Sequence, residues 1–210
     1  MFKFGDWINR KRHNLGYGIQ SPSSFFFVTQ VLKERRPYYA YARLDNAIKK
    51  KRRYAHELFR ITNYLHPTSC ISVGSAWAAC AMAAAKPSVK HYAIAPKGIT
   101  AEQETLLREK GCCIIDSMEQ LPAIIDRTGT IGMFFISATD NIATVIKVVL
   151  PHTGKDSIIV VDGIRRNKET RKLWQQIVND SATTVTYDMH RYGLLFFDKE
   201  RIKQHYTLKR

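Results

Sequence analysis

The sequence predicts an α/β protein built on a mostly parallel, doubly wound sheet, and three observations predict it. Cys70-Ile71-Ser72-Val73 is a short apolar run that stops at Gly74 and passes at once into the small-residue stretch Ala76 to Ala85. A strand buried on both faces, a sharp turn and a close-packed helix read this way. The same alternation of apolar run and helical pattern then recurs as far as residue 178, and the last two apolar runs are joined by only Met189-His190-Arg191-Tyr192. So short a joint admits only an antiparallel pairing.

Each element follows in turn. Residues 1–24 carry Phe2, Phe4, Trp7 and Ile8 beside Arg10-Lys11-Arg12-His13, then the turn-rich Asn14 to Pro22. Such an arm either tucks its aromatics onto the domain or lies on a membrane surface. Ser21-Pro22-Ser23 starts a helix read over Phe25 to Arg35, which Pro37 ends. Residues 38–46 are a tyrosine-rich linker, so the arm and its helix are assigned to 1–44 and the α/β domain to 45–210. Lys49-Lys50-Lys51-Arg52-Arg53 leads into an amphipathic helix through Leu58, Ile61 and Leu65 that ends before Pro67. Strands are then expected at 70–74, 90–95, 112–116, 131–136 and 157–162, with helices at 76–85, 100–110, 140–149 and 168–178. Met118 to Arg127 reads as a connecting segment, and the hairpin takes 183–188 and 193–197. Five crossover-linked strands and a hairpin make a seven-stranded sheet. Ligands in such sheets sit at the carboxyl ends of the strands where the order reverses, which points to the loops 74–78, 95–99, 137–140 and 162–166.

Composition narrows the classes. Hydrophobic residues make up 45% of the 210, enough for a full core. No secretory apolar region follows Met1, because Arg10-Lys11-Arg12 comes too early, and the run Phe25 to Leu32 is too short to span a bilayer. Cys70, Cys80, Cys112 and Cys113 lack metal-site spacing and read as buried free thiols, in keeping with the cytoplasm. The charge is uneven: residues 1–60 hold 14 Lys and Arg against 4 Asp and Glu, residues 61–162 hold 8 against 9, and residues 163–210 hold 11 against 5. Two basic ends around a neutral centre suit a polyanion or plain solvation. If the ends bind, Lys49, Lys50, Lys51, Arg52 and Arg53 hold phosphates or an acidic partner while Tyr38, Tyr39 and Tyr41 stack on bases. A homodimer contact through the aromatic arm is a third reading.

Ile71-Ser72-Val73-Gly74-Ser75, Phe134-Phe135-Ile136-Ser137, Ile159-Val160-Val161-Asp162-Gly163-Ile164 and the ending Arg191 to Phe197 with Lys203 to Tyr206 resemble the class I S-adenosylmethionine-dependent methyltransferases. The similarity is to the O-methyltransferase-like kind that act on small acceptors, and covers roughly residues 45–210. Arg12 to Pro22 resembles a leader found in a subgroup of these proteins. The resemblance implies a Rossmann-like fold and a cofactor cleft at Gly74, Ser75, Trp77, Ala95 and Ser137, with a small-molecule methyl acceptor beside Asp162.

Departures from the family pattern stand at the same positions. Ser72 replaces an acidic residue, Ala78 a second glycine, and Ala95 the carboxylate that accepts from the cofactor's ribose hydroxyls. Ser137 replaces an aspartate and Gly163 an asparagine that hold a divalent cation in the metal-dependent branch, so no metal site is expected. A charge-assisted hydrogen bond contributes about 1.5–3 kcal/mol. Losing two moves a site of about 1 μM affinity toward the millimolar range. The expectation is a degenerate cofactor site, with S-adenosylmethionine binding weak or lost and the protein close to a pseudoenzyme. Trp77 either fills the pocket or stacks on an adenine.

Asp162 and Asp140 have two readings each. Asp162 is a general base or lone metal ligand, or it caps the next helix or pairs with Arg165 or Arg166. Asp140 reaches the cleft or caps helix 140–149. His190 is read as a surface histidine, His56 and His91 as unpartnered, and His13 as part of a lid. Lys97 and Gly98 would meet an anionic group where the acid is missing.

Overall fold

The computed structural model describes residues 16–137 and 141–208. Its centre is one sheet of eight strands: β1 Ser69–Val73, β2 Lys90–Ile94, β3 Cys113–Ile115, β4 Ile131–Ile136, β5 Thr153–Asp162, β6 Val185–Asp188, β7 Tyr192–Phe196 and β8 Gln204–Thr207. Their spatial order is β3-β2-β1-β4-β5-β7-β6-β8. Pairing is parallel from β3 through β5, antiparallel at β5–β7 and β6–β7, and parallel again at β6–β8. The expected sheet was one strand short. Residues 204–207, read only as a terminal motif, pair with β6 and cover what would otherwise be an open edge.

The helices are α1 Pro22–Phe26, α2 Tyr41–Ala47, α3 Arg52–Leu65, α4 Ala76–Ala85, α5 Ala101–Glu109, α6 Leu121–Thr128, α7 Ile142–Val149 and α8 Lys168–Asn179. Three differ from the sequence expectation. The helix read over 25–35 is α1 followed by a single π turn, Phe27–Val31. The linker at 38–46 contains α2, whose Leu44 and Ala47 are buried. The segment 118–127 contains α6, which buries Leu121, Ile124 and Ile125 at helical spacing behind Pro122 in its first turn.

Strand periodicity sorts the core into two layers. Cys70, Ala93, Met133, Phe135, Val160 and Leu194 face α2 to α5 and the segment 19–32, while Ile71, Val73, Ile94, Phe134, Ile159 and Leu195 face α6 to α8. Phe27 seals the first layer, with its ring centroid 5.2 Å from Tyr187 and 5.7 Å from Phe196. The Arg60 guanidinium donates to the carbonyls of Val31 and Leu32, both at 3.0 Å, and ties that segment to α3. No helix among the described residues is long and apolar enough to cross a membrane. Cys70, Cys80 and Cys112 are buried free thiols as read, and burial pushes Cys80 and Cys112 up to about 12. Cys113 is instead exposed.

A close backbone approach joins the starts of β1 and β4. A methyl group built on Gly132 would stand 2.7 Å from the Thr68 nitrogen and 2.8 Å from the Ser69 oxygen, and neither is a side chain that can swing away. The Gly132 N–H donates to Ser69 Oγ at 3.1 Å. Gly132→Ala should therefore lose about 1–3 kcal/mol of stability in urea denaturation, as overpacking does elsewhere. An unchanged midpoint would show that β1 and β4 slide apart freely.

Candidate functional site

The sheet order reverses between β1 and β4, because β2 and β3 extend to one side of β1 and β4 and β5 to the other. The carboxyl ends of these strands therefore open a crevice, as they do in other open α/β sheets. Gly74 follows β1, Ala95 follows β2, Ser137 follows β4 and Asp162 ends β5, so the structure brings the sequence candidates to one edge. Asp140 and His13 lie outside the described residues.

The loop after β1 is held by its own polar atoms. Gly74 turns at φ +72° while its N–H donates to the Ile94 carbonyl at 2.9 Å. The Ser72 hydroxyl donates to the Ser75 carbonyl at 2.9 Å, and Ser75 Oγ accepts from the Ala78 N–H at 3.3 Å as the cap of α4. The serine standing where the family has an acid thus braces the turn. Ser75 spends its oxygen on the helix.

Ala95 continues the β2 ladder with its N–H bonded to the Ile115 carbonyl at 2.6 Å, and adopts φ +43°. Its methyl offers no acceptor. Ser137 donates its N–H to the Val73 carbonyl at 3.0 Å, which carries the β1–β4 pairing to the rim. Lys97 is exposed, and Gly98 beside it has open space where a side chain would be.

Trp77, in the first turn of α4, is half-buried. Its ring meets Phe135 edge-on at 5.3 Å, and the Lys51 ammonium lies 5.1 Å from its centroid. An adenine stacking on that indole face would have to displace the lysine.

Asp162 is only 8% exposed. Burial raises its carboxyl above the ordinary range, against the pull of Lys51, Arg191 and the Gly163 N–H, each of which favours the anion. Arg191 Nε stands 3.9 Å from Asp162 Oδ1, too long for a hydrogen bond, and its guanidinium lies 4.6 Å from the Tyr54 ring centroid. Two of the sequence alternatives for Asp162, the helix cap and the pair with Arg165, are taken by other residues. Arg165 pairs with the buried Asp188, and Asn167 caps α8 with its side chain accepting from Thr170 N–H at 2.7 Å. Lys51, Arg191 and Tyr54 were not read as site residues. Lys51 was visible only as one of a basic run, and its electrostatic effect on Asp162 leaves no local signal.

The other histidines find partners that the sequence reading did not give them. His56 Nε2 lies 2.6 Å from Asp45 Oδ1 and its ring stacks on Tyr41 at 3.7 Å. His91 Nε2 lies 2.6 Å from the Lys86 carbonyl, in a buried site that lowers its basicity. His190 is exposed, as read. No group of three or more His, Cys, Asp or Glu side chains among the described residues is placed to hold a metal ion.

The Asp162 environment has a pH signature. A carboxyl raised by folding contributes stability that is fully present below its unfolded value, about 4, and lost as pH rises through the folded value. Asp162→Asn should accordingly melt above the wild type at neutral pH, with the gap closing as pH approaches about 4. A wild type that is the more stable at neutral pH would contradict the assignment.

No family model and no curated protein sequence matches the chain. Solved structures do. An O-methyltransferase from Bacillus cereus in complex with SAH superposes with a TM-score of 0.57 at 7% identity, over 82% of this chain and 95% of that one. A methyltransferase from Geobacter sulfurreducens gives 0.58 at 12% identity over 79% and 91%. The SAH-bound methyltransferase PaMTH1 of Podospora anserina gives 0.55 at 11% over 77% and 88%. With the parallel core, the reversal at β1 and the terminal antiparallel pair, these likenesses give the chain the class I S-adenosylmethionine-dependent, O-methyltransferase-like fold.

Proposed function

We propose that the chain is an O-methyltransferase-like protein whose cofactor site is eroded, so that S-adenosylmethionine binds weakly and methyl transfer is slow or lost. The observation that carries this reading is the end of β2. The residues present fit the cofactor only in part: the turn at Gly74 and the capped start of α4 offer backbone, but a ribose held as in the family would find the Ala95 methyl where a carboxylate is expected. The Ala95 side chain has no oxygen to accept from the ribose hydroxyls. Lys51 over Trp77 adds to the mismatch, since a positive charge sits close to where a sulfonium would have to come. The free thiols, all four of them unbridged, support a reducing compartment such as the cytoplasm.

A basic module for nucleic acid or an acidic partner is the second reading, and five exposed side chains from Lys49 to Arg53 favour it. The tyrosines that would stack on bases support it less. Tyr38 packs edge-on against Phe59 at 5.1 Å, Tyr41 is spent on His56, and only Tyr39 faces outward.

Calorimetric titration with SAH tests the reading. The wild type should bind in the high-micromolar to millimolar range, and Ala95→Asp should tighten binding about tenfold or more by restoring a charge-assisted acceptor. Aspartate also tolerates positive φ better than alanine does. A wild-type dissociation constant below about 100 μM would mean that the site is intact.

A further inference from the structure

The basic run was read from sequence as a surface patch, but Lys51 lies 5.1 Å from the centroid of Trp77 in the first turn of α4. Its charge also acts on Asp162, and that of Lys49 acts on Glu102 in the first turn of α5. The run therefore borders the carboxyl edge of the sheet. Lys51 adopts φ +66°, Ala95 φ +43° and His190 φ +70°. The described non-glycine residues with positive φ thus gather here, except His66, which lies before β1 at the opposite edge. Such backbone costs about 1–2 kcal/mol per residue, and strain of this kind collects at ligand sites.

Two cations at this edge each rest on an aromatic ring, Lys51 on Trp77 and Arg191 on Tyr54, and the Tyr54 N–H donates to the Lys51 carbonyl at 2.9 Å, which joins the two pairs. Tyr54 meets Tyr192 edge-on at 6.5 Å, and Tyr192 pairs with Asp162 in the β5–β7 register. Asp162 cannot satisfy both cations, since its distance to Arg191 Nε is 3.9 Å. Among the described residues neither the Lys51 ammonium nor the Arg191 guanidinium has a hydrogen-bonded anionic partner. Arg191 is 45% exposed on its side chain, so the planar fork stays open to a ligand.

The geometry points to a site for a small organic anion at the mouth of the crevice, its carboxylate or phosphate bridging Lys51 and Arg191 and its body lying among Trp77, Tyr54 and Tyr192. An anion there supplies the charge that Asp162 alone does not, and the rings give an aromatic or other flat body apolar contact. The inference rests on the crevice being the ligand site, as the proposed function has it, but not on any affinity for the cofactor.

Calorimetric titration of the full chain with phenyl phosphate, benzoate and neutral benzamide tests it, with a parallel titration by SAH. At least one anion should bind and benzamide should not; the two anion arms separate phosphate from carboxylate. Lys51→Gln and Arg191→Gln should each weaken the bound anion about tenfold, whereas Lys51→Arg should retain it. Lys172→Gln, on the exposed side of α8, should bind as wild type does. Circular dichroism melts identify any variant that fails to fold, and Lys51→Arg and Lys172→Gln keep the comparison informative in that event. Equal binding of benzamide, unchanged binding in both neutral variants, or binding of a single-stranded oligonucleotide with none of the small anions would overturn the proposal. Anions that bind without SAH would remove the cofactor reading alone. SAH that binds without anions would remove this one alone.

Discussion

The close backbone approach of β1 and β4 is the constraint on which the rest of the molecule depends. Gly132 has no side chain because the backbone of Thr68 and Ser69 fills the space, and the Ser69 hydroxyl accepts its N–H. That contact fixes the register in which Cys70 faces Met133 and Val73 faces Ile136. At the other end of the same pair, the Val73 carbonyl accepts from Ser137 and the chain leaves β1 through Gly74. The crevice is thus where two buried strands stop at a common level and their chains depart in opposite directions. Its position follows from packing in the core, whatever the crevice holds.

A kept scaffold and a changed rim have separate physical causes. The strands need only apolar side chains of suitable volume on both faces, and β1 and β4 supply them with every residue buried. The rim needs particular polar atoms. Ser72 and Ser75 turn their oxygens inward to hold the β1 turn, and Ala95 supplies none. The charges nearby are positive: Lys51 and Arg191 both favour the Asp162 anion and offset part of the cost of its burial. On the proposed reading, a rim that presents an ammonium and a guanidinium on aromatic rings is chemically unlike one that would grip a ribose through carboxylates.

Much of the fold was legible because it depends on local pattern. β4 and α4 have the bounds read from sequence, since a two-sided apolar run and an unbroken small-residue helix leave little ambiguity. The misses share one cause. α2 and α6 each make two turns, and their few buried residues were hidden by tyrosines in one case and by Pro122 in the other. β8 has only Tyr206 fully inside, so no alternation strong enough to mark a strand remains. Candidate residues at strand ends were readable for the same reason as the strands. The influence of Lys51 on Asp162 was not, because the two lie far apart in sequence, before α3 and at the end of β5, and nothing near either residue in the chain records the other.

The central claim is that the crevice at the carboxyl ends of β1, β2, β4 and β5 is where this protein meets small molecules. Backbone amide NMR of the isotope-labelled chain, titrated first with SAH and then with phenyl phosphate, tests it most directly. The account predicts shifts confined to Gly74, Ser75, Ala95, Ser137 and Gly163 with the first and to Lys51, Gly163 and Arg191 with the second. Shifts gathered at the opposite edge of the sheet, around His66 and Thr153, or none at saturating concentrations of both, would contradict it.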